Sequence, residues 1–594
     1  MQFIADQGVR HVFMLPGGGA MHLNDSLGSR TDIEFICNLH EQASAIAAEA
    51  YARITNHLGV ALVTTGPGGT NAITGLAGAW LDSTPCLFIS GQVKRADSMI
   101  GRGVRQLGVQ EVDIISIVQP VTKYAVLVTD PASIRYHLEE AVYLAKSGRP
   151  GPVWIDIPLD VQATMIEPGA LEGFTPQSEE RPSRETERLN VDVIKTIDLF
   201  NQAKRPVILA GNGVRLSGAH ERFLSMAERL NVPVLTTRLG VDLIPYDHPL
   251  CFGMPGSIAP RSSNFILQNS DLLLTLGARL DMALIAYAPD KLARGAKKIM
   301  VNIDASEMQK LNPIIDLAIQ TDAGMFIQTL LGNASLIHEQ DRTAWIERCN
   351  GWKKRYPFVL PEHRAKIGRV SMYAFAETIS EELEEDCIIL PGNAGIASEI
   401  FLTAFKTKTR QRVFHNKGTG AMGFCQPAAI GACLASGRKP TICIDGDGGF
   451  QMNIQELETV RRLELPIKFF VMNNEGYSSI RTSQQNYFGK LTGADATSGL
   501  TLPDCIKVAK AYGLNAIRIA DSQNLRQQVK QVLEMQGPVV CEVMAIKDEP
   551  RAPRVSSMQR PDGSMVSKPL EDMAPFLDRE EFLSNMIVPP LKEG

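Results

Sequence analysis

Apolar and polar positions alternate in a pattern that changes character several times along the chain. Between Val9 and Pro158, short β-rich runs ("VRHVFML", "GVALVTT", "PCLFISG", "PVWIDI") alternate with Ala-rich stretches of helical period such as "EQASAIAAEAYARI". Continuous apolar strands separated by helices predict a parallel, doubly wound α/β sheet, because both faces of such a strand are covered. From about 166 to 190 the periodicity fades and Pro and charge accumulate, which reads as a linker. A second α/β unit carries "RPVILAG", "VPVLTT", "DLLLTLGA" and "KKIMVNID", and a third, beginning near Ser371, carries "DCIILPGN", "TICIDGDGGF", "IKFFVMNN" and "PVVCEVMA". The division is therefore a first unit 1–165, a linker 166–190, a middle unit 191–345, a third unit 370–549 and a polar, Pro-rich tail 550–594 that lies over another surface. The opening helical pattern of Phe3, Ile4 and Val9 has no N-cap, which points to a natural start further upstream.

A chain of 594 residues is too long for one core, and about 100–200 residues per domain agrees with three units and a tail. The formal charge of −5 comes without a dense Lys/Arg block, which argues against a nucleic-acid partner. No apolar run reaches the roughly 20 residues of a membrane span, and the amino terminus lacks the organisation of a signal peptide, so a cytoplasmic protein is expected. The 10 cysteines are scattered without a CxxC pair and read as reduced, buried thiols.

The strongest chemical signal lies between Thr441 and Gly476, where an Asp ends one predicted strand and an Asn ends the next. Parallel strands present their carboxyl ends at one edge, where ligands bind. Asp447 offers a carboxylate oxygen, Asn474 an amide oxygen and Gly476 a backbone carbonyl, a set of hard donors suited to Mg²⁺ with phosphate oxygens or waters completing an octahedron. Gly448 and Gly449 open a helix with exposed N–H groups that favour a phosphate beside the metal. Either fragment alone reads equally well as a tight turn.

The spacing of 27 residues (474 − 447) resembles the cofactor motif of thiamine diphosphate (ThDP) enzymes, GDG followed by NN, here Gly446 to Gly448 and then Asn473-Asn474. Such enzymes need a carboxylate beside the cofactor's aminopyrimidine. The family pattern HEQ-x₄-AA-x-GYAR is matched around Glu41 except at Ala50. By itself, a Glu in a first helical turn is equally explained by the helix dipole.

Beyond these motifs the chain resembles acetolactate synthase catalytic subunits through nearly its whole length. That resemblance implies decarboxylation of a 2-keto acid such as pyruvate and transfer of the two-carbon unit to a carbonyl acceptor. It places Gly18 of "PGGGAMHL" and Gln110 near the reacting carbons, Pro67 in the pyrimidine pocket and Lys123 by the substrate entrance. It assigns the diphosphate to Gly395, Ile396 and Ala397, and the bent cofactor to Gly420 and Met422. The middle unit resembles the family's FAD-binding unit through Gly211, Gly213, Gly277, Arg279, Asp304 and Asp322; Gly turns of this kind also recur in domains that bind nothing. A homodimer or homotetramer is implied as well. Ser479 and Ser483 stand where acetolactate synthases carry a Met and a Trp, and Met282 and Ala283 where they carry an Asp and an Arg, so the acceptor pocket differs in shape and charge. A ketosugar or other carbonyl acceptor, plain decarboxylation, an oxidase and a non-catalytic cofactor-binding relative all stay open at this point.

Overall fold

The computed structural model describes residues 1–176, 183–365, 367–393, 395–559 and 565–591. Its first sheet contains β1 (His11–Met14), β2 (Glu34–Cys37), β3 (Gly59–Val63), β4 (Cys86–Gln92), β5 (Tyr124–Leu127) and β6 (Val153–Pro158), in the order β2-β1-β3-β4-β6-β5. The middle sheet contains β7 (Pro206–Ala210), β8 (Val234–Thr236), β9 (Leu272–Leu276), β10 (Lys297–Asn302) and β11 (Leu317–Gln320), ordered β11-β10-β9-β7-β8. The third holds β12 (Ile388–Pro391), β13 (Arg412–Val413), β14 (Thr441–Gly446), β15 (Ile467–Asn473), β16 (Asn515–Ile519) and β17 (Val539–Met544), ordered β13-β12-β14-β15-β17-β16. All ladders within these three sheets are parallel. The three-unit α/β architecture expected from the strand and helix alternation is the one observed.

Strand for strand, the first and third sheets have the same order. In all three sheets the first strand lies between the second and the third, so the winding direction reverses there and a crevice opens at the carboxyl ends. These crevices fall between β1 and β3, β7 and β9, and β12 and β14.

First and third units are joined by a pair of helices, Glu41–Thr55 and Cys425–Ala435, whose side chains belong to one continuous apolar core. Small residues set the contact: a Cβ added to Gly431 would lie 2.0 Å from the Ala47 carbonyl oxygen, so only glycine allows this approach. The tail crosses the middle unit. There the wholly buried helix Arg261–Gln268 directs Arg261 to the Met573 carbonyl, Asn264 to the Leu570 carbonyl and Gln268 to Glu571.

Two elements differ from the sequence reading. Residues 183–190, expected as linker, form the first turns of the helix Ser183–Gln202; their charged side chains occupy its exposed face, and that masks the apolar stripe that begins at Leu189. Residues 177–182 of that expected linker lie outside the described residues. The short strands β5, β11, β13 and β16 were not singled out, because each is only partly covered and lacks the apolar run of a central strand. Among the described residues no helix is long and apolar enough to cross a membrane, and all ten cysteines are free.

Candidate active site

Each crevice gathers residues singled out from the sequence. In the first, the loop after β1 forms a short 3₁₀ turn at Gly18–Ala20, and Gly19 N–H donates to Thr64 Oγ1 at 3.2 Å. Gly17, Gly19 and Gly91 are compressed against neighbouring chain, with a Cβ on Gly91 falling 2.0 Å from the Gly19 carbonyl oxygen. Pro67 occupies the first turn of the helix Pro67–Leu81, where its missing N–H costs nothing. Gln110 adopts left-handed φ of 63°, and its carbonyl oxygen accepts from Thr65 Oγ1 at 3.4 Å beside Gly66. Below this rim Thr65 Oγ1 donates to Gln92 Oε1, whose amide donates to Asp156 Oδ2, each at 2.9 Å. Burial pushes the Asp156 carboxyl up to about 7.

β2 ends at Cys37, and residues 38–40 lead into the next helix. His40 caps the following helix by accepting the Gln42 N–H at its Nδ1, and Glu41 opens the helix. The Glu41 carboxylate is buried and accepts a 2.9 Å hydrogen bond from Asn71 Nδ2, on the helix begun by Pro67. Next to it, Gln42 Oε1 accepts from Asn453 Nδ2, which also donates to the Gly423 carbonyl. The start of the Glu41 helix thus lies against the 420–423 segment of the same chain's third unit.

Lys123 does not join this group. It precedes β5, at the amino-terminal edge of the parallel sheet, and its ammonium donates to the Ser147 carbonyl; burial lowers its pKa to about 8. Within one chain Lys123 and Glu41 lie at opposite edges of the sheet, Lys123 before β5 and Glu41 after β2.

In the third crevice Asp447 follows β14 directly, and its carboxylate accepts the N–H groups of Gly448 and Gly476, both at 2.9 Å. Burial raises this carboxyl to about 6. Asn474 is buried, and its amide makes no hydrogen bond among the described residues. Gly476 has φ of +117° and a Cβ there would lie 2.4 Å from the Ala494 carbonyl oxygen, so its backbone is brought to Asp447 by a turn that only glycine makes. Gly448 has its own constraint, because the Tyr477 ring lies 2.2 Å from the place of a Cβ. One carboxylate, one amide and one carbonyl form a set suited to Mg²⁺, which asks for few protein ligands. Among the described residues no group of three His, Cys, Asp or Glu side chains is placed to hold a metal.

Gly446 ends β14, and Gly449 packs against Asp445, whose Oδ2 is buried without a partner. Burial, with the Asp447 charge beside it, raises Asp445 to about 7. Across the crevice, Asn393 Nδ2 donates to the Ala421 carbonyl and Nδ1 of the buried His415 lies 3.3 Å from Asn393 Oδ1, so the loops after β12, β13 and β14 meet. Gly420, at φ +61°, is exposed and Met422 is half-buried beside it. Gly395, Ile396 and Ala397 start a π-helical segment. A Cβ on Gly395 would lie 2.2 Å from Ser479 Oγ and 2.9 Å from Arg551 Nη1.

The middle crevice is a cavity of about 430 Å³ where all three units meet, with Gly213, Gly277, Arg279 and Asp322 in its wall. Gly211 lies beneath them, its Cβ position 2.3 Å from the Gly277 carbonyl oxygen. Asp304 and Asp322 cap the helices that follow β10 and β11, and Asp304 also pairs with Arg149 at 2.7 Å. Arg279 donates to the Leu81 carbonyl and pairs with Glu307.

Several residues of these sites were given no role by the sequence. Glu49, Arg53 and Asp82 form a buried ionic group between the units, with Arg53 Nη2 at 2.6 Å from each carboxylate, and Asn416 reaches Glu49 from the third unit. Arg481 clamps the loop after β15 by donating to the carbonyls of Asn474, Glu475 and Lys547. Arg551, from the tail, pairs with Glu399 and lies 3.3 Å from Ser479 Oγ. Long cations of this kind look like solvated surface until folding brings distant carbonyls to them.

Comparison with known proteins agrees with this geometry. The thiamine pyrophosphate enzyme N-terminal TPP binding domain matches residues 1–117, the central domain 193–330 and the C-terminal TPP binding domain 393–543. The acetolactate synthase large subunit of Cyanidium caldarium is 32% identical over 564 residues, covering 92% of each chain. That of Porphyra purpurea is 33% identical over 567 residues, 93% of this chain and 92% of its own. That of Corynebacterium glutamicum is 33% identical over 582 residues, 96% of this chain and 89% of its own. The chain belongs to the acetolactate synthase large-subunit family of thiamine diphosphate enzymes. As an acetolactate synthase-like enzyme it carries the two thiamine diphosphate-binding domains in its first and third units, the two whose sheets share one strand order.

Proposed function

We propose that this enzyme decarboxylates a 2-keto acid, pyruvate first among them, and joins the two-carbon unit to a carbonyl acceptor, with Mg²⁺ anchoring the diphosphate. The observation that carries the reading is the buried Glu41 carboxylate held by Asn71 at the first crevice, in a chain whose third crevice presents Asp447, Asn474 and Gly476 together. Bound thiamine diphosphate supplies the electron sink for loss of CO₂. Glu41 would be the carboxylate partner of the aminopyrimidine nitrogen, and the Asn71 amide holds its Oε2 in place. Asp447, Asn474 and the Gly476 carbonyl hold the metal; Gly446, Gly448 and Gly449 admit the diphosphate, with Gly395, Ile396 and Ala397 opposite. Pro67, Gly420 and Met422 shape the pyrimidine and ring contacts, while Gly18 and Gln110 face the reacting carbons. Glu41→Gln should lower turnover by about 10²–10⁴ while diphosphate and Mg²⁺ affinity, measured by calorimetry, stay within a few-fold. Near-normal turnover would reject the assignment.

The acceptor is a ketosugar or another carbonyl compound, because Ser479 and Ser483 leave a polar, open wall and Arg551 reaches Ser479. Product analysis with pyruvate alone and with added ketosugars or aldehydes tests this; rapid acetolactate formation with preference for 2-ketobutyrate argues against it. FAD is assigned to the middle cavity as a structural group, supported by the close approach of Gly213 and Gly277 in its wall, with Gly211 beneath them, and by the polar side chains of Arg279 and Asp322, with Asp304 just outside the wall. A flavin spectrum that survives purification and is lost on Gly213→Val is the expected result. The working assembly is a homodimer or homotetramer, and a fully active monomer in light scattering would contradict that.

A further inference from the structure

A second cavity, of about 260 Å³, lies in the seam between the middle and third units, separated from the middle cavity by the stretch 237–239. Its walls are largely apolar, with the rings of Tyr246, Phe252, Tyr356 and Phe358 among them. Three cations line it, Lys353, Arg364 and Lys406, against a single carboxylate, Glu377, which is shared by Arg364 and Lys406. The Lys353 ammonium lies 4.4 Å from the centre of the Tyr246 ring, with the Cys251 carbonyl at 2.9 Å. Two hydroxyls in the wall, Thr403 Oγ1 and Thr407 Oγ1, are buried and have no partner, and Thr407 is only 4% exposed. A buried hydroxyl without a partner is costly, and such groups in a cavity wall mark the place of a missing polar atom. Aromatic walls and a surplus of positive charge describe a site for an organic anion with an apolar body. At about 30 Å³ per water the space equals roughly nine waters, the size of a carboxylate with an aromatic ring or a six-carbon chain.

The floor of this cavity is the stretch Leu402 to Thr407, which continues the π-helical segment Ile396–Phe401. That segment begins at Gly395, Ile396 and Ala397, and it is tied midway to the middle unit by Arg238, which donates to the Ser398 carbonyl. π-turns have loosened backbone bonding and recur at functional sites. We infer that the seam is an effector site for a small apolar carboxylate, coupled through this helix to the affinity for thiamine diphosphate. The binding part stands on the cavity alone; the coupling part rests on the reading of Gly395 to Ala397 as the diphosphate loop.

The test uses the holoenzyme with phenylacetate and hexanoate as probes and phenylacetamide as the uncharged match. Saturable calorimetric binding is expected for a carboxylate, about tenfold or more tighter than for the amide, the loss of one charge-assisted contact. Lys353→Met should weaken the carboxylate by a similar factor, and Ala404→Leu, which fills the space, should remove binding. A saturating probe should shift the ThDP affinity by the same factor by which ThDP shifts the probe. Absence of saturable binding by both carboxylates overturns the site, as does equal binding of acid and amide in the wild type, which needs no variant. Binding with an unchanged ThDP affinity overturns the coupling. A chain that fails to bind ThDP at all sinks the proposed function, while the probe titration still reads the cavity.

Discussion

Replacing Arg53 with methionine takes the cation from between two carboxylates that have almost no contact with water: the side chains of Glu49 and Asp82 are 0% and 1% exposed. Methionine fills the same length without charge, so the perturbation is electrostatic. Breaking a buried ionic group by removing one partner costs about 3–5 kcal/mol, because the remaining charges lose their partner but stay buried. Asp82 keeps one bond, from the Lys417 N–H, and Glu49 keeps the Asn416 amide, which places the expected loss at the lower half of that range. Hydrogen exchange of the Glu41–Thr55 amides reports this helix without assuming that three units unfold together. A loss of about 3–4 kcal/mol speeds exchange relative to wild type by roughly 10²–10³. Because both stranded carboxylates gain by taking up protons, the deficit should shrink on acidification, by about 1.4 kcal/mol per pH unit for each proton bound. Unchanged exchange, or a deficit that grows as the pH falls, would refute the account of this group.

The remaining expectations follow from other contacts. Burial and the Asp82 charge hold the folded Glu49 carboxyl at about 7 against an ordinary 4.5, so its contribution to stability is complete below 4.5 and disappears as pH rises through 7. Glu49→Gln should therefore gain on the wild type across that interval, by roughly 3 kcal/mol at most, in the same exchange measurement; a flat difference would contradict the shift. Gly392→Ala drives a Cβ to 2.2 Å from Asp445 Oδ1 and should cost about 1–3 kcal/mol with weaker ThDP binding, read from thermal midpoints with and without cofactor. Arg481→Met frees the loop of Asn474 and Glu475, and Mg²⁺ affinity by titration should fall about 10–100-fold while the circular dichroism is unchanged.

What the sequence made legible follows from where each signal is stored. Central strands such as β4, β6, β14 and β15 are buried on both faces and therefore announce themselves as apolar runs, and the glycines of the crevices stand beside them at fixed offsets. Edge strands β13 and β16 lack that run because only part of their surface is covered. Asp447 and Asn474 stand out in the sequence because a motif stores their spacing, and Glu41 because a second pattern surrounds it. The edge of the sheet that Lys123 occupies was not legible, because a resemblance in sequence order says nothing about which edge of a sheet a residue occupies. The roles of Arg481 and Arg551 were not legible for a different reason: a long cation reads as solvated surface until folding supplies its partners, which lie 66 residues away for Arg481 and Lys547 and 152 for Arg551 and Glu399.

The way the tail lies on the helix Arg261–Gln268 bears on how the protein is made. Asn264, Gln268 and Asn269 are fully buried and satisfied in part by Leu570, Glu571 and Asn585, which leave the ribosome some three hundred residues later. Until then these amides face water or a chaperone, so the centre of the polypeptide is the last region to close although it is not the last to be synthesised. Nascent chains stalled before residue 565 should remain open to protease at this helix while the first unit is already resistant.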